Sequence, residues 1–252
     1  MNNDYILETR NLTKEFRGFV AVNDVNLRVR RGTIHGLIGP NGAGKTTVFN
    51  LLTKFLLPTA GAIVFRGEEI TNDRPASVAR RGLVRSFQIS STFPHMTVLE
   101  NVRIALQRMH GSSYQFWRSK QSLAKMDARA LEILASVELA EHAQLLAVEL
   151  PYGRKRALEL ATTLALEPEM MLLDEPTQGM AHEDVGRVVE LIKRVGAGRT
   201  ILMVEHNLGV VEDLCDTITV LQRGQVLTEG DYQTVSNDPQ VLEAYVGVAD
   251  DD

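Results

Sequence analysis

One eight-residue string restricts what this chain can fold into more than any other feature. Gly39-Pro40-Asn41-Gly42-Ala43-Gly44-Lys45-Thr46 fits the pattern G-x-x-x-x-G-K-[ST]. Glycines let backbone N–H groups turn inward around an anion, because no side chain blocks the approach. A helix that opens directly after such a loop adds unpaired N–H groups and about half a positive charge. Lys45 has the reach for the outer phosphates of a nucleoside triphosphate, and the hydroxyl of Thr46, next to Thr47, is suited to ligate Mg2+. Composition alone produces this string in about one in a hundred chains of this length. The surroundings add the confirming context. Thr33–Ile38 is a short apolar run before the loop, and Lys45–Phe55 has helical spacing after it.

Periodicity elsewhere extends that strand–loop–helix unit. Val20–Arg30, near-alternating from Val25 onward, and Ala62–Phe65 predict strands. From about Thr97 to Ala147 the spacing turns helical, as in Ala130, Leu131, Leu134 and Val137, which predicts an inserted helical lobe. Within it, Gly111-Ser112-Ser113 precedes Tyr114, Phe116 and Trp117. Trp117 is either a partner contact or part of a satellite core. Strand–helix alternation then returns with strand Met170–Leu173, helix Glu183–Val195, strand Thr200–Val204 and a hairpin around Arg223-Gly224. The expected class is α/β, a P-loop core with a mainly parallel sheet.

Composition argues against several partners. With 27 Lys and Arg against 32 Asp and Glu, the net charge is −5, the wrong sign for a protein that lives on phosphate-backbone contacts. No nucleic acid is therefore expected. No window approaches ~18 unbroken apolar residues, and the N-terminus lacks a basic then apolar leader. The single cysteine, Cys215, excludes an intrachain disulfide; it reads as a small buried thiol. Arg28, Arg30 and Arg31 read as a solvated strand edge, and His35 as structural.

Two further strands end in chemistry. Met170-Met171-Leu172-Leu173-Asp174-Glu175 delivers two acids to the C-terminal edge of a sheet, where open α/β folds bind ligands. Asp174 is expected to hold Mg2+, directly or through water, and Glu175 to polarise an attacking water. Thr200-Ile201-Leu202-Met203-Val204-Glu205 likewise delivers His206 toward a γ-phosphate. Gln88 stands out only by position, where the core gives way to the lobe. Arg154–Leu166 predicts a helix with Ala157, Leu160, Ala161 and Leu164 on one face, entered from Gly153.

In chain order, Gly39–Thr46, Gln88, Leu150-Pro151-Tyr152-Gly153, Asp174-Glu175-Pro176-Thr177 and His206 resemble the nucleotide-binding domains of ABC transporters, over nearly the whole chain. The Pro-Tyr-Gly form of the signature, Gly179-Met180 and Val204-Glu205-His206-Asn207 are similar to the ATPase subunits of branched-chain amino-acid importers. The resemblance implies an antiparallel β subdomain beside the P-loop core (about 5–92 and 155–240) and a helical subdomain (about 93–154). It implies a second ABC ATPase subunit, identical or related, paired head to tail. ATP and Mg2+ would lie between the P-loop of one copy and Tyr152 and Gly153 of the other. Phe16 would stack on adenine. Gln88 would sense Mg2+ and couple it to transmembrane permease subunits docked near the helical lobe. A solute-binding protein would act indirectly, and the chain would sit on the cytoplasmic face of the cell membrane.

Two departures from the family pattern stand out. The common signature is Leu-Ser-Gly-Gly-Gln, whereas Pro151 and Tyr152 occupy its second and third positions and Arg154 its fifth. Pro151 removes a hydroxyl and an N–H, and Arg154 supplies charge in return. Ala181-His182 stands where the wider family often has Asp-Pro. Neither change touches Lys45, Asp174 or Glu175, so hydrolysis is expected. The rival readings are a non-transport cytosolic ABC ATPase, a P-loop kinase or GTPase, and an ATP-binding regulatory module without turnover. One P-loop argues against the two-domain translation factors, and no Asn-Lys-x-Asp guanine motif is present.

Overall fold

The computed structural model describes residues 4–86, 92–109 and 120–246. The chain opens with β1 (Tyr5–Phe16), β2 (Phe19–Val25), β3 (Arg28–Arg30), β4 (Ile34–Ile38), α1 (Lys45–Leu52), β5 (Ala60–Phe65) and β6 (Glu68–Glu69). β1 is the hub of an antiparallel sheet in the order β2-β1-β5-β6, with β3 also pairing β1. Three differences from the sequence expectation have local causes. The strand expected over Val20–Arg30 is two, β2 ending at Val25 one residue past the left-handed Asp24 (φ 53°) and β3 starting at Arg28. β1 carries no clean alternation because its pairing shifts register between Arg10 and Thr13 and again between Leu12 and Lys14. α1 stops at Leu52, because Lys54 turns to φ 65°.

β7 (Leu83–Ser86) follows α2 (Pro75–Arg80), and α3 (Val98–Met109) and α4 (Lys120–Ser136) then build the lobe. The chain returns through α5 (Tyr152–Leu164), β8 (Met170–Asp174), α6 (His182–Gly196), β9 (Thr200–Val204) and α7 (Leu208–Leu214). It closes with β10 (Thr217–Gln222), β11 (Gln225–Gly230), α8 (Tyr232–Ser236) and α9 (Pro239–Val246). α5 starts two residues before the expected Arg154. Pro151, at φ −57°, is its N-cap and already holds the backbone angle of a helix entry. The second sheet runs β11-β10-β4-β9-β8-β7. Every pair in it is parallel except the β10–β11 hairpin. β4 precedes its two neighbours in sequence, which makes its C-terminal end a switch point in strand order.

Period-two alternation sorts this sheet into two faces. Leu37, Leu83, Met170, Leu172, Leu202 and Val204 pack with Val48 and Phe49 of α1 and with the antiparallel sheet. Ile38, Met171, Leu173, Ile201 and Met203 pack with Val102 and Leu134 of the lobe, Leu158 of α5 and Ile192 of α6. Lobe and core thus share one apolar cluster. Each such fully buried side chain contributes about 1.5–3 kcal/mol. Asp174, in step with Met170 and Leu172, emerges on the α1 face. Tyr114, Phe116 and Trp117 lie outside the described residues.

Two groups read as structural behave so. Burial, Asp216 and Glu205 push the Cys215 thiol up to about 12, so it is not a nucleophile at neutral pH. His35 is buried, with Nε2 2.7 Å from the Thr219 hydroxyl, which itself donates to Glu229 Oε2 at 2.6 Å. That hydroxyl has one proton, so His35 Nε2–H is the donor to it. Burial lowers the imidazole from 6.5 to about 4. Acid therefore protonates the unfolded chain first, and the stability His35 confers is complete above about 6.5 and lost as pH falls toward about 4. Between pH 7.5 and 4.5 the wild type should lose about 2–3 kcal/mol more than His35→Leu in denaturant titrations. Equal losses would contradict a buried neutral histidine.

Candidate active site

The phosphate loop is held from two sides. Gly39 turns at φ 147°, and a Cβ there would meet the Leu221 carbonyl of β10 at 2.1 Å. Gly44, at φ 101°, faces the Ala21 carbonyl of β2, which a Cβ would meet at 2.6 Å. Both positions exclude a side chain. The Gly224 N–H donates to the Ala43 carbonyl at 3.0 Å, bracing the loop from the β10–β11 turn. α1 starts at Lys45 with no side-chain cap, which leaves a helix N-terminus suited to an anion. Asn41, Gly42 and Thr46 are exposed, Pro40 and Thr47 partly so. Lys45 is buried and donates to the Gly39 and Pro40 carbonyls at 2.7 and 2.9 Å. Burial pulls its ammonium below the usual lysine range, while Glu175 and Asp174 push it back up. Lys45 therefore lies within electrostatic reach of both acids.

The acids part company at the end of β8. Asp174 stays in register with Val204 of β9. Glu175 turns to φ 47° while its N–H donates to the Val204 carbonyl at 2.9 Å. A left-handed non-glycine residue costs about 1–2 kcal/mol and is found disproportionately at functional sites. Here the turn carries the carboxylate away from Asp174 to His206, whose Nε2 lies 2.5 Å from Glu175 Oε1. The strand ends thus bring Lys45, Asp174, Glu175 and His206 to one edge of the sheet.

Two residues of this site have no role that the sequence assigns. Glu205 is 3% exposed and accepts from the Thr177 N–H and hydroxyl at 2.9 and 2.6 Å. It also accepts from the His206 and Asn207 N–H groups at 3.0 and 3.3 Å. One buried carboxylate so fastens the turn after Glu175 to the turn that presents His206. Arg85 pairs with Asp174 and donates to Asn50 Oδ1 at 2.7 Å. A lone arginine at a strand end belongs to no motif.

The remaining candidates sit at the margins. Phe16 is at the tip of the β1–β2 hairpin, opposite Phe19, 40% exposed and with the Lys14 ammonium 5.1 Å from its ring. Tyr152 and Gly153 form the first turn of α5. The Tyr152 hydroxyl donates to the Gln178 carbonyl at 2.9 Å, tying the signature to the turn that follows Glu175. Gln88 lies outside the described residues. Among the described residues no group of three or more His, Cys, Asp or Glu could hold a metal ion. Mg2+ needs only one or two carboxylates when phosphate oxygens complete its shell, and Asp174 with the Thr46 hydroxyl is a donor set of that kind.

Comparison with known proteins places the chain in a family. The family model described as ABC transporter matches residues 22–178, and one described as branched-chain amino acid ATP-binding cassette transporter matches 225–251. The chain is 37% identical over 254 residues to the high-affinity branched-chain amino acid transport ATP-binding protein BraF of Pseudomonas aeruginosa, covering 97% of this chain and 98% of that one. It is 38% identical over 251 residues to the corresponding LivG protein of Escherichia coli, with coverage of 97% and 98%. A crystal structure of the ADP conformation of an ATP-binding cassette superposes with a TM-score of 0.84 at 31% identity, covering 96% and 99%. With a phosphate loop, an acid pair and a histidine converging on one sheet edge, and with these relatives, the chain belongs to the ATP-binding cassettes of the ABC transporter family.

Proposed function

We propose that this chain is the ATP-hydrolysing motor subunit of an importer for branched-chain amino acids or related small solutes. The observation that carries the reading is the convergence of buried Lys45 with Asp174 and the Glu175–His206 pair at the C-terminal edge of the parallel sheet. Lys45 exchanges its two loop carbonyls for phosphate oxygens, charge-assisted bonds that are stronger than the neutral ones they replace. The N–H groups of Gly39–Thr46 and of the first turn of α1 supply the rest of the cradle. Asp174 and the Thr46 hydroxyl would hold the cation, and Thr47 would join the phosphate cradle. Bound Mg2+ would neutralise charge on the outer phosphates. Glu175 accepts a hydrogen bond from a water and takes up its proton as the water oxygen bonds to the γ-phosphorus and the β–γ bridging oxygen leaves with ADP. The one N–H of a neutral His206, paired with Glu175 in the nucleotide-free site, would turn to the γ-phosphate when nucleotide binds.

A second cassette completes the site in this reading. Glu175 and His206 are 21% and 44% exposed at the side chain, so water reaches them freely in a single copy. The partner's signature helix would cover them, with Tyr152, Gly153 and Arg154 toward the phosphates. Phe16 offers an exposed ring for adenine, and Gln88 is assigned to Mg2+ sensing and coupling. No helix of the described residues is long and apolar enough to cross a membrane. Transport would run through permease subunits on the cytoplasmic face. A groove of about 490 Å³ between β7, α3 and α5, with Phe93 51% exposed at its rim, is a place for a permease helix. The cargo follows from the relatives' names and would be selected by the permease and a solute-binding protein.

Co-expression with candidate permease subunits tests this. The chain should co-purify with a multi-span membrane protein, and vesicles holding the complex should take up labelled leucine only with MgATP. Association solely with cytosolic complexes would transfer the chain to the non-transport ATPases.

A further inference from the structure

Asp174 does not stand alone at the end of β8. Arg85 of β7 is the register partner of Leu172. The pleat therefore puts Arg85, Leu172 and Asp174 on the same face, the one packed on α1. The guanidinium lies 5.8 Å from the centre of the Phe49 ring. One arm donates to Asn50 Oδ1 at 2.7 Å and the other to Asp174 Oδ2. Both charged side chains are largely enclosed, at 13% and 15% exposure. Arg85 thereby links the strand that carries the acid to the helix that carries Lys45 and Thr46.

A guanidinium is a rigid planar fork, so two anchors leave it one orientation. A carboxylate gripped through Oδ2 then presents Oδ1 in one direction as well. We propose that Arg85 is a positioning residue, fixed by Asn50, which holds Asp174 so that Oδ1 is left for the Mg2+ of the bound nucleotide. The inference rests on the reading of Asp174 as the metal-side acid. Partners that orient a metal ligand typically contribute 10–100-fold in metal affinity. A guanidinium that merely competed with the cation for Asp174 would act with the opposite sign. Its removal would then tighten the metal complex.

The sign can be read from binding alone. A fluorescent ATP analogue is titrated into the full chain in EDTA and again with Mg2+, and the ratio of the two affinities gives the gain due to the metal. Arg85→Gln should lower that gain about tenfold or more while leaving the EDTA affinity within about twofold. Arg85→Lys keeps the charge but loses the fork, and should fall between Gln and wild type. Asn50→Ala leaves the ion pair in place and should lower the gain about threefold, a partial loss of the same orientation. A gain that is unchanged or larger in Arg85→Gln overturns the proposal, as do equal losses with and without the metal. If Arg85→Gln does not fold, an unchanged gain in both Arg85→Lys and Asn50→Ala overturns it. Wild type with no affinity for the Mg2+ complex would instead sink the nucleotide reading itself.

Discussion

Glu175→Gln binds ATP with Mg2+ as the wild type does and turns it over about 10²–10⁴-fold more slowly, the range for removal of a general base. The substitution is nearly isosteric, and Gln still accepts a hydrogen bond from His206, now 2.5 Å from Glu175. The left-handed turn at Glu175 is held by its backbone bond to Val204, which the side chain does not supply. What disappears is the carboxylate proposed to take the proton from water. With hydrolysis blocked, paired cassettes should persist in the ATP-bound state, and size-exclusion chromatography with ATP should show a dimer that the wild type passes through only transiently. Single-turnover phosphate release at the wild-type rate would remove Glu175 from the mechanism and leave the dimer unexplained.

The second large effect is on binding. Lys45→Met removes the buried ammonium, and truncating one partner of a desolvated charge pair costs about 2–5 kcal/mol, or roughly 30- to 5,000-fold in affinity. Calorimetric titration with MgATP should show a loss in that range. The same change should alter the stability of the nucleotide-free protein little, because relief of a buried charge offsets the bonds lost to the Gly39 and Pro40 carbonyls. Lys45 is 6% exposed, and the burial that pulls its ammonium down is a cost the thioether does not carry. Loss of binding without loss of melting temperature separates a ligand contact from a fold contact. A variant that binds MgATP within tenfold of wild type would mean that backbone N–H groups alone hold the phosphates.

The parts of this site that are legible in the sequence are those written into one short segment. Gly39–Thr46 needs only glycine flexibility and a following helix. Asp174, Glu175 and His206 each end an apolar run, and a strand end in an α/β protein already says where in the fold they lie. The helical lobe is legible through its 3.6-residue period, and so is α5 after it, although α5 begins at Tyr152 because Pro151 caps it. β1 is not legible. Its bulges displace the two-residue period on which a strand reading depends.

Contacts between segments lie outside that kind of reading. Arg85 meets Asp174 across 89 residues and Asn50 across 35. Glu205 meets Thr177 across 28, and the Tyr152 hydroxyl reaches Gln178 across 26. Each depends on which strands are neighbours and in what register, a property of the whole sheet that no local string carries.

The amino-acid sequence by itself determined the phosphate loop, the acids and the histidine, because glycine conformation and hydrophobic period act over a few residues. Only the tertiary structure decided what holds those groups in place. Arg85 is on Asp174, Glu205 fastens two turns, the β10–β11 turn braces Ala43, and β10 leaves no room for a side chain at Gly39. Those contacts arise when packing of the two apolar faces sets strand order and register, and a single polar partner gains strength only once that packing has removed water from around it.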